Sequence, residues 1–245
     1  MTKRRYISVM ALLACQQAPA IAQDQVISGS SSSRRERVEP PIGSLLGNRL
    51  TKENMDPAQA VRLAHQAAAC WVAQRKGAAR AAASALTLEE REKGFETLKK
   101  ETPCDSAAVN GITERASWTV PLDVKTGMLA EALLRTSKGP ALAALPLEQS
   151  YVRPWFGLSS RNLVIDEMAA CVADTNPAGV SALFKTRPES DKEKTAISTL
   201  AASFGPCLRA GAKLRANSMG LRAALAEAMW QRALQPAPVL AGGAH

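Results

Sequence analysis

Apolar positions recur with a helical period in two stretches of the chain. In the first, Leu63, Ala67 and Cys70 fall at i, i+4 and i+7, with Trp71 beside them. Asp56 is placed to cap this helix and Pro57 to open it. Lys76-Gly77 suits its end, with Gly77 as a left-handed cap. A short helix is expected from Ala78 to Leu86. Thr87 and Glu90 then have capping-box spacing and start a helix from Leu88 to Glu101, weakened by Gly94 and ended by Pro103 before Cys104. Asn110-Gly111 marks a turn. Pro121 begins a helix carrying Leu122, Leu129, Ala132 and Leu133, ending near Arg135.

The same order returns downstream. Ser159 or Ser160 is the expected cap, and Val164, Met168 and Cys171 repeat the i, i+4, i+7 phase. Asn176-Pro177 closes one helix and opens the next, which carries Leu183 and Phe184. Ser190 and Glu193 again have capping-box spacing, and Pro206-Cys207 ends that helix. Asn217 caps a last helix with Leu221, Leu225, Ala228 and Met229. One constant offset maps Leu63, Ala67 and Cys70 onto Val164, Met168 and Cys171. It widens slightly at the second cysteine and shrinks in the final helix, as loop insertions and deletions would make it do.

The chain therefore reads as all-α, with two tandem helical repeats packed as one body. Repeat 1 is expected over 53–138 and repeat 2 over 159–235. Between them, 139–158 holds Pro140, Pro146 and Pro154, which rule out a long helix. Its Leu142, Leu145, Tyr151, Trp155 and Phe156 are too apolar for a free linker, so the connector should pack on the body. Residues 236–245, with Pro236, Pro238 and Gly242-Gly243, read as a flexible tail.

Cys70, Cys104, Cys171 and Cys207 allow three pairings. The duplication selects Cys70 with Cys104 and Cys171 with Cys207, so that each repeat staples itself. A loop of that size is worth roughly 3.5–4 kcal/mol in the chain-entropy model. Neither Cys-x-x-Cys nor nearby histidine pairs suggest a metal, and no metal or cofactor is expected.

Disulfides ask for an oxidising compartment, and the start of the chain supplies an address. Lys3-Arg4-Arg5, an apolar run from Tyr6 to Ala14 and the small residues Pro19-Ala20-Ile21-Ala22 have the layout of a secretory signal peptide over 1–22. Leu12-Leu13-Ala14-Cys15 offers an alternative, a lipobox in which Cys15 is lipidated and anchors the protein. Residues 23–52, with Ser30-Ser31-Ser32-Ser33 and Pro40-Pro41, read as a disordered linker. The mature protein is thus expected to be periplasmic or secreted, or lipid-anchored through Cys15, with no transmembrane span.

Composition agrees with helices: apolar residues are 46% and aromatics only 4%. The formal net charge is +9, and falls to +6 when Lys3, Arg4 and Arg5 leave with the signal. Such a charge reads first as a solvated basic surface, with attraction to an anionic partner as the alternative. No nucleic-acid-binding motif is present, and nucleic acid is not an expected partner.

Candidate chemistry is sparse. There is no Gly-x-Ser-x-Gly elbow, phosphate-cradling loop or His-Glu-x-x-His. His65 is read as a packed or surface residue of its helix. Glu131 and Glu227 occupy matching places in the repeats. Facing each other across a cleft, they would make a carboxylate-pair hydrolase. As structural residues, Glu131 would pair with Arg135 one turn on, and Glu227 with Arg222 or another base. Arg209, Lys213 and Arg215 form a weak anion-patch candidate, with Arg209 and Lys213 spaced one helical turn apart. Trp71, Trp118, Trp155 and Trp230 are read as core, with pocket lining as the alternative.

Ala170-Cys171-Val172, Cys207-Leu208 and the final Leu-Arg-x-Ala-Leu-Ala-Glu-Ala helix from Leu221 to Ala228 resemble an uncharacterised group of exported bacterial proteins. Repeat 1 matches more loosely, with Thr126 where Arg222 would stand. The resemblance implies duplication and export and brings no activity. The function expected is that of a non-enzymatic envelope protein that binds another envelope protein or an anionic surface. A small-molecule or lipid binder with a cavity between the repeats is the alternative.

Overall fold

The computed structural model describes residues 57–101, 104, 120–137, 141–158 and 161–235. The signal, Cys15, the linker, Asp56, Pro103, the Asn110-Gly111 turn, Trp118, Ser159-Ser160 and the tail lie outside these residues.

The described chain is all-helical, with eight helices and no strand: α1 (Pro57–Gln74), α2 (Lys76–Ser84), α3 (Leu88–Glu101), α4 (Leu122–Thr136), α5 (Leu163–Thr175), α6 (Pro177–Phe184), α7 (Asp191–Cys207) and α8 (Ser218–Leu234). They belong to one compact unit. Two disulfides are formed, Cys70–Cys104 and Cys171–Cys207.

Local chemistry explains most helix ends. The Thr87 hydroxyl accepts from Glu90 N–H at 3.3 Å, and Ser190 accepts from Glu193 N–H at 3.3 Å. Asn217 accepts from Gly220 N–H at 2.8 Å. Asn176 ends α5 and caps α6, accepting from Gly179 N–H at 3.0 Å. The cap of α5 is Asn162, whose side chain accepts from Val164 N–H at 2.9 Å, and not Ser159 or Ser160. Asn162 immediately precedes the first turn, where an N-cap side chain meets the free amides.

The end of α1 differs from expectation. Gly77 does not stop it; it lies inside α2 without a positive φ. The break is one residue, Arg75, at φ −138° and ψ 51°. Asn176, between α5 and α6, has φ −136° and ψ 56°. The hydrogen bonds around the two breaks also agree. Arg75 N–H reaches Trp71 O and Asn176 N–H reaches Val172 O, each at 2.8 Å.

The core centres on α4 and α8, which pack more extensively on each other than any other pair. α1 lies on α4, and α5 lies on α8. The approach of α4 to α8 is set by Gly127. A Cβ there would lie 2.3 Å from Ala223 O and 2.4 Å from its Cα. Gly127 and Ala223 are also matched positions in the correspondence that pairs Glu131 with Glu227.

The connector packs on this body. Tyr151 and Trp155 are buried, and Leu142 and Phe156 pack against the core. Leu145 N–H donates to Asp174 O at 2.7 Å. Arg232 of α8 pairs with Asp174 at 3.2 Å and donates to Ala143 O and Ala173 O. Trp71, Trp155 and Trp230 are core residues, with Trp71 edge-on to Phe95 and Trp230 donating to Ser84 Oγ at 3.1 Å.

Gly127→Ala should lower stability by about 2–3 kcal/mol, because backbone and not a movable side chain blocks the new methyl. Gly77→Ala, with nothing within 4 Å, should raise it by about 0.5–1 kcal/mol. Urea midpoints of the two variants check both signs.

Candidate functional site

Two clusters of charge are buried where α4 and α8 meet their neighbours. The first is built on Glu131 of α4. Arg222, one turn into α8, grips it through two bonds, Nε to Oε2 and Nη2 to Oε1, each 2.7 Å. The same guanidinium donates to Glu193 Oε1 at 2.7 Å, to Thr186 Oγ1 at 3.1 Å and to Thr186 O at 3.0 Å. Every N–H direction of Arg222 is thus used. The other oxygen of Glu193 accepts from Glu189 N–H at 2.7 Å. Arg135 approaches Glu131 at 3.5 Å, as its one-turn spacing suggests. His65 of α1 comes to 3.6 Å through Nδ1. Burial holds the His65 imidazole down to about 4; Glu131 pulls it up, while Arg222 and Arg135 push it further down. His65 is therefore neutral above that pH.

The second cluster is built on Glu227 of α8. Its partners are Arg91 of α3 at 2.7 Å and Arg161 at 2.9 Å, not Arg222. Arg222 and Glu227 share a helix but stand on different sides of it, and Arg222 is drawn across to the other half. Arg161 also donates to Asp166 Oδ1 and to Asp123 O, each at 2.8 Å. Arg91 donates to Ala85 O at 3.0 Å, and Gly157 N–H donates to Asp166 Oδ2 at 2.8 Å. Burial works against the charge on Arg161, but Glu227, Asp166 and Asp123 outweigh it and its pKa is raised. Burial also raises Asp123 and Asp166, with Arg161 opposing it in both.

This geometry bears on the carboxylate-pair reading. A glycosidase-type pair needs two carboxylates open to a substrate and a water. Glu131 and Glu227 are each 1% exposed, and all four of their oxygens are engaged by arginines or His65. Each is the counter-ion of buried arginine. The basic stretch is also rearranged. α7 ends at Cys207, and Gly211 turns the chain with φ 79°, so Arg209 and Lys213 do not share a helix face. Pro206, inside the last turn, and Gly211 together forbid continuation. Arg209 is exposed and pairs with Glu167 at 2.5 Å. Among the described residues no group of three or more His, Cys, Asp or Glu side chains is placed to hold a metal ion. An open groove runs along α3 between Lys93, Glu96, Thr97, Lys99 and Lys100, with Lys99 bonded to Glu96 at 2.9 Å.

Sequence reasoning missed Arg91, Arg161, Asp123, Asp166, Thr186 and Glu193 as cluster members. One signal was available: Arg222 interrupts an otherwise apolar run in α8, and a cation there needs a buried acid. Comparison with protein-family models, with curated proteins and with solved structures finds no match to this chain.

Glu131→Gln should cost about 3 kcal/mol, because it leaves Arg222 buried with half its counter-charge. Arg222→Met should cost about as much alone. The double variant Glu131→Gln/Arg222→Met should lose clearly less than the sum, since the contact between the two side chains is lost once and not twice. Denaturant titration of the three proteins measures the coupling.

Proposed function

We propose that this chain is an exported, non-enzymatic envelope protein that works through its outer surface, built from two copies of one helical unit. The observation that carries this is the fate of Glu131 and Glu227. The strongest candidates for internal chemistry are consumed in holding the two halves together. The seam between the copies has no room for a ligand cavity at its centre, where Gly127 touches the Ala223 backbone. Duplication is supported by the matched breaks at Arg75 and Asn176, the two self-closing disulfides and the matched contact of residues 127 and 223. Two disulfides fit an oxidising compartment. Among the described residues no helix is long and apolar enough to cross a membrane. A periplasmic location, with release after Ala22 or anchoring through Cys15, completes the reading.

The surface itself favours an anionic partner as one form of this function. Among the described residues the buried charges are Arg91, Arg161 and Arg222 against Asp123, Glu131, Asp166, Glu167, Asp174, Glu193 and Glu227. The interior thus holds more acid than base. The cations that outnumber acids in the sequence are displaced outward, where they attract acidic polymers or lipid head groups. Exposed Val152, Leu147 and Leu163 provide apolar contact points for a protein partner.

Native mass spectrometry of the processed protein tests the assignment. The expected species is the polypeptide with two disulfides and no retained small molecule. A co-purifying lipid or metabolite in stoichiometric amount would replace the surface reading with the cavity-binder alternative. The same spectrum reports the mature N-terminus: Gln23 for soluble export, or a diacylated Cys15 for the anchored form.

A further inference from the structure

His65 is the only histidine among the described residues, and it stands where three helices meet. It projects from α1 with 13% of its side chain exposed, against Glu131 of α4 at 3.6 Å, too far for a hydrogen bond. Every facing element brings charge to this point. α4 contributes Glu131 and Arg135, α8 contributes Arg222, and α7 contributes Glu193. Beyond them, Glu189 of the α6–α7 loop lies within the electrostatic reach of Glu193 and of Arg62 on α1. α2, which also packs on α1, points its cations elsewhere: Arg80 lies over the Trp230 ring and Lys76 is exposed. With His65 neutral the cluster balances, Glu131 and Glu193 against Arg222 and Arg135. Adding a proton leaves an uncompensated positive charge in a site with little water to screen it.

The matching place on α5 is held by Asp166, which is paired with Arg161 in the other cluster. Only the first cluster carries an imidazole, so the two ends of the core respond differently to acid.

We propose that His65 is an acid-operated release for the seam between α1 and α4. A solvent proton taken up by the imidazole places a third cation beside a carboxylate already held by Arg222 and Arg135, and the start of α1 lifts from α4. The Cys70–Cys104 bond keeps the far end of α1 attached, so the opening is confined to its first turns. Those turns carry Ala60, Val61 and Ala64 on their buried side, and lifting them uncovers an apolar strip. The opening is reversible, and it does not depend on what the surface binds.

The direction in pH follows from linkage. An exposed imidazole titrates near 6.5, and this one near 4 in the closed state. The closed state therefore binds fewer protons than the open one. Its advantage is complete above pH 6.5 and drains away as pH falls towards 4. Burial also raises Asp123 and Asp166 from the ordinary carboxylate value, with Arg161 opposing it, so acid acts on the second cluster as well. The test must therefore be local to α1.

Hydrogen exchange of the intact oxidised protein, read peptide by peptide between pH 7 and 4 and corrected for intrinsic rates, provides it. Protection of residues 57–69 should fall by up to about 100-fold over this range, while α5 and α8 stay protected. His65→Gln, which cannot gain the charge, should keep α1 closed at pH 4. An unchanged pH profile in His65→Gln, or an equal loss of protection in α5 and α8, would overturn the proposal. If glutamine does not fit the site, the unmutated protein decides, with the NMR titration of His65 read beside the exchange. Loss of protection in 57–69 that tracks the imidazole's titration upholds the release, and titration of the imidazole with no loss of protection there rejects it.

Discussion

The close approach of α4 to α8 at Gly127 is the constraint from which the rest of the core follows. No Cβ fits between that residue and the Ala223 backbone, so the two helices lie nearer than ordinary side chains permit. Small residues at a crossing trade side-chain burial for backbone proximity. The consequence is geometric. Arg222, about one turn along α8, then reaches Glu131 on α4 with two short bonds, and Glu227 further on turns to Arg91 and Arg161. Widening the crossing by the thickness of a methyl group would pull apart an ion pair that both sides have paid desolvation to bury.

The two stretches matched in the sequence solve the same electrostatic problem with different residues. Each ends in a helix with a buried glutamate, and each glutamate needs cations. In perfect symmetry the residue at 126 would serve Glu227 as Arg222 serves Glu131. Position 126 is a threonine instead, with its hydroxyl bonded to Leu122 O at 2.8 Å. The missing cation is replaced from α3 by Arg91 and from the segment before α5 by Arg161. The His65 site is the reverse case, a titrating ring where the other half keeps a carboxylate.

How much of this was readable in the chain depends on the distance between cause and effect. The Thr87, Ser190, Asn176 and Asn217 caps act within three residues, and all four stand at helix starts. The cysteine pairs follow from order alone once the halves are matched. Errors began where a local signal had a local rival. Gly77 had the composition of a stop, but nothing crowds it and the helix resumes through it. Ser159-Ser160 had the chemistry of a cap, and Asn162 had the position. The one-turn pairing of Glu131 with Arg135 was legible and is real, yet it is the weaker contact at 3.5 Å beside two of 2.7 Å. The partners of Glu227 were out of reach, because Arg91 lies in a helix whose many charges all suggest solvent. Nothing in α3 distinguishes it from Lys93 until the fold turns one of them inward.

An alanine-rich, aromatic-poor chain also has a volume problem, and the buried arginines answer it. With aromatics at 4%, few large apolar side chains exist to fill the space where helices diverge from their closest approach. Arg91 and Arg222 are among the largest side chains that are fully buried, beside Phe95 and Leu129. Their aliphatic stems fill the gaps that leucine or phenylalanine fill elsewhere. Their head groups then require acids, and Glu131, Glu193 and Glu227 supply them. A planar guanidinium satisfies two carboxylates and a backbone carbonyl at once, as Arg222 does with Glu131, Glu193 and Thr186 O. A lysine ammonium has neither the fork nor the breadth.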